Sequence, residues 1–173
     1  MHSSRTAPET ENKIIPRRLL ASRVSELKAE GKRIVFTNGC FDLLHPGHIR
    51  LLARARKLGD ILIVALNSDE SVRRLKGTNR PILTLSERLE VISALASVDL
   101  VTSFEEDTPK EIVDEVIPDV LVKGGDWALD QIVGRETVES NGGQVIAIDF
   151  EEGYSTSGII NRIRERAESK LDH

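Results

Sequence analysis

The sequence predicts an α/β fold, a single Rossmann-like domain in which an open parallel five-stranded sheet carries helices on both faces. Two observations lead to this prediction. Five short apolar runs alternate with segments of helical periodicity, as expected for parallel strands whose crossover helices cover both faces of the sheet. The length of 173 residues is enough for one hydrophobic core and too short for two ordinary domains.

The first part of the chain lies ahead of the predicted sheet. Residues 1–13 are polar and aperiodic, so we expect a disordered lead-in there and a single domain over residues 14–173. Apolar side chains then recur at helical spacing before a glycine that can end a helix: Leu19, Leu20, Val24, Leu27 and Gly31. This pattern predicts an amphipathic helix over residues 17–30 that belongs to the domain.

The strands are predicted from five apolar runs bounded by turn or cap signals. These runs cover residues 34–36, 61–66, 98–101, 120–122 and 145–148. The intervening helices have start and stop signals of their own. Thr84 with Glu87 and Thr108 with Glu111 have capping-box spacing, and Asn141 with the glycines that follow it indicates a helix end before the last strand.

Composition narrows the classes of function. A net charge of −4 argues against a broad basic surface for nucleic acid, because neutralising phosphates requires clustered Lys and Arg. Cys40 is the only cysteine, which excludes an intrachain disulfide and a multi-cysteine metal site and fits a reducing cytoplasm. The apolar runs are strand-sized and no signal core is present, so we expect a cytoplasmic protein without nucleic-acid or membrane partners.

The residues best suited to bind a ligand or catalyse a reaction begin where the first strand ends. Residues 36–48 read Phe-Thr-Asn-Gly-Cys-Phe-Asp-Leu-Leu-His-Pro-Gly-His, and helical spacing resumes directly afterwards. In an open parallel sheet, ligands gather where strands end and helices begin, because exposed amides and the helix dipole attract phosphate there. We therefore expect a nucleotide at this loop.

His45 and His48 lie three residues apart at the predicted helix start, so both imidazoles can face one phosphate group. Pro46 suits the first helical position and Gly47 removes side-chain bulk. Two other interpretations stay open from the residues alone: a cap with a surface histidine, or a zinc pair. Zinc is the weaker, since helical zinc histidines more often lie four residues apart and need further ligands.

Cationic residues follow the second predicted strand, at Arg73, Arg74, Lys76 and Arg80. Such a run is usually a solvated surface. At the end of a strand, however, a cationic loop can close over a triphosphate and offset the charge that develops during transfer, and we favour Lys76 for this role. Arg88, in the next helix, either reaches the phosphates or lies on a helical surface.

Two further strand and helix boundaries can contact a ligand. After the fourth strand, Gly124 and Gly125 allow the backbone to approach a base or ribose, and Trp127 is either a ligand wall or a partly buried core residue. Before the last helix, the hydroxyl groups of residues 155–157 can cap the helix, bind phosphate, or do both. Neither a lysine-ending P-loop nor a dinucleotide glycine pattern is present.

Residues 39–48, taken with Ser155-Thr156-Ser157, resemble the signature of the cytidylyltransferase-like nucleotidyltransferase superfamily. Further strings from residue 32 to 164 are similar to those of the heptose 1-phosphate adenylyltransferases: Asn67-Ser68-Asp69, Leu75-Lys76-Gly77, Arg80-Pro81, residues 104–109 and residues 123–126. This resemblance implies transfer of AMP from ATP to D-glycero-β-D-manno-heptose 1-phosphate by direct in-line attack on the α-phosphate, giving ADP-heptose and pyrophosphate. The alternatives are a cytidylyltransferase for a polyol phosphate and a non-catalytic nucleotide-sensing module.

The resemblance also implies a set of site residues. The catalytic residues are His45, His48 and Lys76. The nucleotide-binding residues are Asn38, Gly39, Phe41, Arg88, Lys123, Gly124, Ser155, Thr156 and Ser157. The substrate-binding residues are Asp42, Asp126 and Trp127.

The cofactor and partners follow from the same resemblance. Mg²⁺ accompanies ATP and is held mainly by phosphates, with no direct protein ligand. The partners are ATP, a sugar phosphate and a second copy of the chain in a homodimer. Residues 150–153 read Phe-Glu-Glu-Gly and lack the arginine that polyol-phosphate cytidylyltransferases usually carry there, which favours the heptose branch.

Overall fold

The computed structural model describes residues 10–125, 128–149 and 153–169. Its five strands are β1 (Ile34–Gly39), β2 (Ile61–Asn67), β3 (Leu100–Phe104), β4 (Val120–Gly124) and β5 (Gln144–Ile148). They form one sheet in the order β3-β2-β1-β4-β5, and every pairing is parallel. The predicted fold class, an open parallel sheet of five strands, is confirmed.

Helices connect the strands and extend the chain at both ends. They are α1 (Arg17–Ala29), α2 (Pro46–Arg56), α3 (Asp69–Lys76), α4 (Leu85–Ser93), α5 (Lys110–Val116), α6 (Arg135–Ser140) and α7 (Thr156–Glu168), with short 3₁₀ turns at Glu11–Lys13 and Leu129–Gln131. The chain winds from β1 to β3 on one side and then continues on the other side with β4 and β5. The order of strands therefore reverses between β1 and β4, where open α/β sheets bind ligands.

Two apolar clusters cover the two faces of the sheet. Along β1, Ile34 and Phe36 pack into a cluster with α1 and α5, whereas Val35 packs into a second cluster with α2 and α4. This alternation follows from the two-residue period of a strand, and it explains why the strands are apolar throughout. Both clusters end at the carboxyl edge of the sheet, so polar groups at that edge meet the ligand cleft.

The limits of β3 differ from the predicted residues 98–101. The backbone N–H of Val98 donates to Leu95 O in a turn at 3.1 Å, and β3 starts at Leu100 and continues to Phe104. Its later residues pair with β2 in register, Thr102 opposite Ala65. Pairing with a buried neighbour thus makes polar residues part of the strand, which an apolar run alone does not predict.

The two capping-box predictions have different outcomes. At Thr84 the capping box is present, with the Glu87 carboxylate accepting from the Thr84 backbone N–H at 2.7 Å. At Thr108 it is wrong, because α5 begins at Lys110 with Pro109 in the cap position and no side-chain cap hydrogen bond. Thr108 instead lines a cleft at the carboxyl edge of the sheet. The helix starts close to the predicted position, but without that cap.

The N-terminal segment runs beside β3. The Lys13 ammonium group donates to the carbonyls of Leu95 and Val98 at 3.2 and 2.8 Å, and Ile14 bridges to Val101. The sequence places residue 13 in a disordered lead-in, whereas here it is fixed by these bonds; residues 1–9 lie outside the described part. Among the described residues, no helix is both long and apolar enough to cross a membrane.

Candidate active site

A cleft of about 510 Å³ opens at the carboxyl edge of the sheet, beside the point where the strand order reverses. The ends of β1, β2 and β4, the start of α2 and the start of α7 contribute to its lining. Ten of the predicted site residues line it: Asn38, Gly39, Phe41, Asp42, His48, Lys76, Lys123, Gly124, Thr156 and Ser157. The fold thus brings together residues more than 100 positions apart in sequence.

The loop between β1 and α2 forms the floor of this cleft. Phe41 has a φ of 43°, in the left-handed region that a bulky residue rarely adopts. Gly39 faces the Phe41 ring, and a Cβ added at Gly39 would lie 3.0 Å from it. The absence of a side chain at Gly39 therefore allows the loop to fold back closely on the end of the strand.

The two histidines stack on each other at the start of α2. Their ring centroids lie 3.8 Å apart, and the Nδ1 atoms of both are buried without a hydrogen-bond partner in the described part of the chain. Only His48 lines the cleft; His45 is 7% exposed and lies behind it, with Tyr154 at 6.5 Å on the other side. His45 occupies the cap position of α2, but its side chain forms no cap hydrogen bond.

This arrangement makes both imidazoles weak bases. Burial and, to a smaller extent, the neighbouring His45 lower the pKa of His48 to about 4, against a backbone hydrogen bond with Leu43 that raises it. Burial also lowers the pKa of His45. Both rings are neutral near pH 7, so an anionic ligand beside His48 would stabilise its charged form and promote proton uptake.

Asp42 lines the cleft, and its carboxylate also holds a loop. Its side chain is 0% exposed, and its carboxylate accepts from Arg80 Nε at 2.5 Å and from the backbone N–H groups of Ile82 and Leu83 at 2.8 and 2.9 Å. Burial raises the pKa of this carboxyl, but these hydrogen bonds lower it more. The loop that follows α3 thus uses the carboxylate of Asp42, and its substrate contact stays a prediction.

Arg80 becomes a site residue through this pairing. Its side chain is 14% exposed and lines the cleft, and only Nε is used by Asp42. The terminal guanidinium nitrogens form no hydrogen bond with the described residues. A planar group with one edge fixed and its remaining donors facing a cleft is suited to bidentate phosphate binding. The sequence placed Arg80 in a charge run and in a family-like string, but gave it no site role of its own.

Arg88 matches neither interpretation made from the sequence. It is fully buried and pairs with Asp69 at 2.7 Å, while its other nitrogens donate to the carbonyls of Cys40 and Leu83 at 2.6 and 3.2 Å. These bonds join α4, α3 and the β1–α2 loop. The predicted phosphate contact is corrected accordingly, because Arg88 does not line the cleft and instead fixes the loop that forms its floor.

Two lysines add positive charge to the cleft. Lys76 is the exposed last residue of α3, and Lys123 lies near the end of β4. Burial lowers the pKa of Lys123, and the charge of Lys76 lowers it further. The charges of these two lysines repel each other in the free protein. A bound phosphate relieves this repulsion, so the pair suits a polyanion.

The start of α7 supplies hydroxyl groups. Ser155 is the cap residue, and its side chain accepts from the Gly158 backbone N–H at 3.0 Å. Ser155 does not line the cleft, so the helix-cap interpretation applies to it. Thr156 and Ser157 do line the cleft, in the first turn of the helix, where free amide groups and the helix dipole attract an anion.

The side of the cleft formed by β2 and β3 was not predicted. Its polar residues are Asn67, Asp107 and Thr108, and apolar residues from after β4 face them: Ile132 and Val133. The rule that ligands bind at strand ends identifies Asn67, the last residue of β2. Asp107 and Thr108 lie in a string that resembles the family, but that string alone does not assign them a site role. Asp126, Trp127 and residues 150–152 lie outside the described residues. Within the described part, no three His, Cys, Asp or Glu residues cluster as a metal site would require.

The fold and the cleft define the class to which the chain belongs, the cytidylyltransferase-like family, whose sequence pattern matches residues 36–162. The resemblance noted in the sequence is thereby confirmed. The bifunctional protein HldE of Haemophilus ducreyi is 54% identical over 156 residues, covering 90% of this chain and 33% of that protein. The bifunctional protein HldE of Pelobacter propionicus is 52% identical over 158 residues, covering 91% and 32%. This chain spans about a third of the length of these relatives.

Two solved structures share the fold. The lipopolysaccharide core biosynthesis protein from Thermoplasma volcanium GSS1 has a TM-score of 0.58 and 34% identity, covering 72% of this chain and 100% of that chain. The pantoate-beta-alanine ligase from Francisella tularensis, complexed with beta-gamma ATP and beta-alanine, has a TM-score of 0.58 and 16% identity, covering 84% and 69%. The second likeness concerns the fold alone.

Proposed function

We propose that this chain is an ATP-dependent adenylyltransferase that transfers AMP to D-glycero-β-D-manno-heptose 1-phosphate and releases pyrophosphate. The observation that carries the proposal is one cleft, at the point where strand order reverses, that combines His48, Lys76, Lys123 and Arg80 with the start of α7. Each of these groups favours phosphate. The identity of about half with bifunctional HldE proteins supports the heptose phosphate as acceptor.

The reaction needs no covalent enzyme intermediate. An oxygen of the sugar phosphate attacks the α-phosphorus of ATP in line with the leaving pyrophosphate, so one P–O bond forms as the bond to the β-phosphate oxygen breaks. The attacking group is already an anion near neutral pH, and a strong general base is therefore unnecessary. Catalysis rests on positioning and on stabilising the charge that moves onto the leaving group.

Each residue of the cleft contributes to this reaction according to its position. His48 donates a hydrogen bond to the polyphosphate as a neutral imidazole, and His45 supports it by stacking. Arg80, oriented by Asp42, and Lys76 neutralise the phosphates. Thr156 and Ser157 offer amide and hydroxyl donors, while Gly124 leaves room at the end of β4 for the nucleoside.

Mg²⁺ would supply further charge neutralisation on the pyrophosphate. The two described carboxylates that line the cleft are both paired, Asp42 with Arg80 and Asp107 with Arg74 at 2.7 Å. This donor set fits an ion that is bound mainly by substrate phosphates and water, as Mg²⁺ commonly is, rather than one held in a protein cage.

The test measures pyrophosphate release with ATP or CTP, Mg²⁺ and a panel of acceptors: heptose 1-phosphate, glycerol 3-phosphate and flavin mononucleotide. Release with ATP and heptose 1-phosphate alone is expected. Release with CTP and a polyol phosphate would replace the substrates but keep the mechanism. No release with any pair, together with nucleotide binding by calorimetry, would favour the nucleotide-sensing module.

We also propose that the chain acts as a homodimer in the cytoplasm and forms one domain from residue 14 onward. Light scattering of the purified chain tests the first statement, since a dimer has twice the mass of 19.2 kDa calculated for one chain. A monomer at micromolar concentration would contradict it.

A further inference from the structure

Asn67 is a buried polar residue with a fixed orientation. It is the last residue of β2 and 4% exposed, yet it lines the cleft. Its Nδ2 lies 3.0 Å from Ser71 Oγ, and that Oγ lies 3.0 Å from the backbone carbonyl of Glu106. A carbonyl can only accept, so the Ser71 hydroxyl donates its single proton to Glu106 and must accept from Asn67. The amide nitrogen is thereby assigned to the Ser71 side.

The other half of the amide is free for a ligand. With Nδ2 directed at Ser71, Oδ1 forms no hydrogen bond to the described residues. It is also absent from the few buried side-chain atoms there that lack both a partner and solvent access. Asn67 therefore presents a single, preoriented acceptor to the cleft, and a ligand that fills the cleft must supply a donor to it or leave it unpaired.

The segment around Glu106, whose carbonyl accepts from Ser71, is fixed by further hydrogen bonds. The Glu106 carboxylate pairs with Arg17 at 2.6 and 2.7 Å, and it also accepts from the Glu105 backbone N–H at 3.0 Å. The next residues, Asp107 and Thr108, line the same side of the cleft. Asn67 Oδ1 and the Asp107 carboxylate accept hydrogen bonds, and the Thr108 hydroxyl can accept or donate, so this side of the cleft suits the hydroxyl groups of a ligand.

The position of Asn67 separates it from the nucleotide. The groups expected to hold ATP come from the β1–α2 loop, the end of β4, the start of α7 and the cations Lys76 and Arg80. Asn67 instead ends β2 and Thr108 follows β3, on the other side of β1 from β4. We propose that Asn67 Oδ1 accepts a hydrogen bond from a hydroxyl of the phosphorylated acceptor, and that Ser71 positions Asn67 for this contact. This inference rests on the proposed function and assigns the acceptor a polyol character.

Kinetics of Asn67→Ala and Ser71→Ala, measured by pyrophosphate release, test the assignment. We expect kcat/KM for the sugar phosphate to fall about three- to tenfold in Asn67→Ala, as for the loss of one neutral hydrogen bond, with ATP affinity by calorimetry changed less than twofold. Ser71→Ala should also lower kcat/KM for the sugar phosphate more than ATP affinity, but to a smaller extent, because the Asn67 amide is then free to rotate. Asn141→Ala is the control, since that amide donates to Thr137 O at a helix end outside the cleft.

A second measurement varies the acceptor, and its first step uses only the wild-type chain. With the wild-type chain, acceptors that each lack one hydroxyl are compared with the parent sugar phosphate. One of them should lose about three- to tenfold in kcat/KM, and that loss should vanish in Asn67→Ala.

The possible failures can be distinguished. Turnover by the wild type with no difference between it and Asn67→Ala on any acceptor would contradict the role of Asn67 alone. If Asn67→Ala lost as much affinity for ATP as it lost in kcat/KM for the sugar phosphate, the contact would belong to the nucleotide and the assignment would be overturned. The absence of turnover by the wild type with every acceptor would overturn the proposed function and this inference together.

Discussion

At the scale of single residues, the site depends on side chains whose ordinary charge or exposure the fold has changed. His48 is neutral because it is buried beside His45, and Asp42 stays ionised although it is fully enclosed, because Arg80 and two backbone amides neutralise it. Removing one partner of such a pair leaves the other buried and uncompensated. Substitutions at these positions are therefore expected to affect catalysis and stability differently.

We expect His48→Ala to lower kcat by about two orders of magnitude or more, as for a lost oxyanion donor, with a much smaller change in ATP affinity. Single-turnover kinetics and calorimetry separate the two quantities. His48→Asn keeps a neutral donor and should recover part of the loss. A kcat close to the wild-type value in His48→Ala would remove this residue from the mechanism.

Lys76→Ala should reduce kcat/KM while leaving the melting temperature unchanged, because Lys76 is exposed at the end of α3 and contributes charge rather than packing. The loss of one hydrogen bond to a charged phosphate corresponds to about 10- to 100-fold. Lys57→Ala, an exposed lysine at the end of α2, is the control. Identical steady-state kinetics in both variants would place Lys76 on the solvated surface.

The pH dependence of stability follows from the lowered pKa of His48. Its ordinary pKa is 6.5 and its value in the folded protein is about 4, so between these values the unfolded chain binds a proton that the folded chain does not. The free energy of unfolding should therefore fall as pH decreases from 6.5 toward 4, with no contribution above 6.5. Urea titrations of the wild type and His48→Asn at pH 7, 6 and 5 measure this slope. Equal slopes would contradict it.

At the scale of secondary-structure elements, the cleft is held by helix starts and by the loops that they fix. The start of α4 is closed by the capping box of Thr84, and α4 carries Arg88, which binds Cys40 O in the floor of the cleft. The end of α3 leads into the loop that Asp42 holds through Ile82 and Leu83. Local capping and the geometry of the site are thus connected through two neighbouring helices.

Thr84→Ala should destabilise the folded chain by about 1 kcal/mol, because the Glu87 backbone N–H at the start of α4 loses the Thr84 hydroxyl as its acceptor. Chemical denaturation measures this change. Thr78→Ala, at an exposed position in the preceding loop, is the matched control and should change stability by less than about 0.5 kcal/mol. Equal effects would mean that the capping box contributes nothing to the stability of α4.

At the scale of the whole molecule, two apolar clusters on opposite faces hold one sheet, and α1 is part of the first. Leu20, Val24 and Leu27 of α1 are buried there against β1 and β3, and Arg17 joins the same helix to the loop before α5. The N-terminal helix is therefore part of the domain rather than an appendage. It also anchors Glu106, and through it the predicted acceptor side of the cleft.

Adjacent leucines of α1 test this placement. Leu20 is 0% exposed and Leu19 is 50% exposed. Leu20→Ala should lower the free energy of unfolding by about 2–5 kcal/mol through the lost contacts and the cavity that remains, whereas Leu19→Ala should change it by less than about 0.5 kcal/mol. Denaturant unfolding of both variants provides the measurement. Similar values would mean that α1 is not packed as described.

The sequence by itself determined the fold class, the strand-end loop with its paired histidines and the start of α4, because these features depend on local periodicity and short-range spacing. It did not determine which of the candidate side chains face a ligand and which of them support the cleft. Arg88 became a buried support, Asp42 an anchor for Arg80, and Asn67 a preoriented acceptor. Each outcome depends on partners 19, 38 and 35 residues apart, Arg88 with Asp69, Asp42 with Arg80, and Ser71 with Glu106. Only the parallel packing of strands sets such distances, which no sequence spacing encodes.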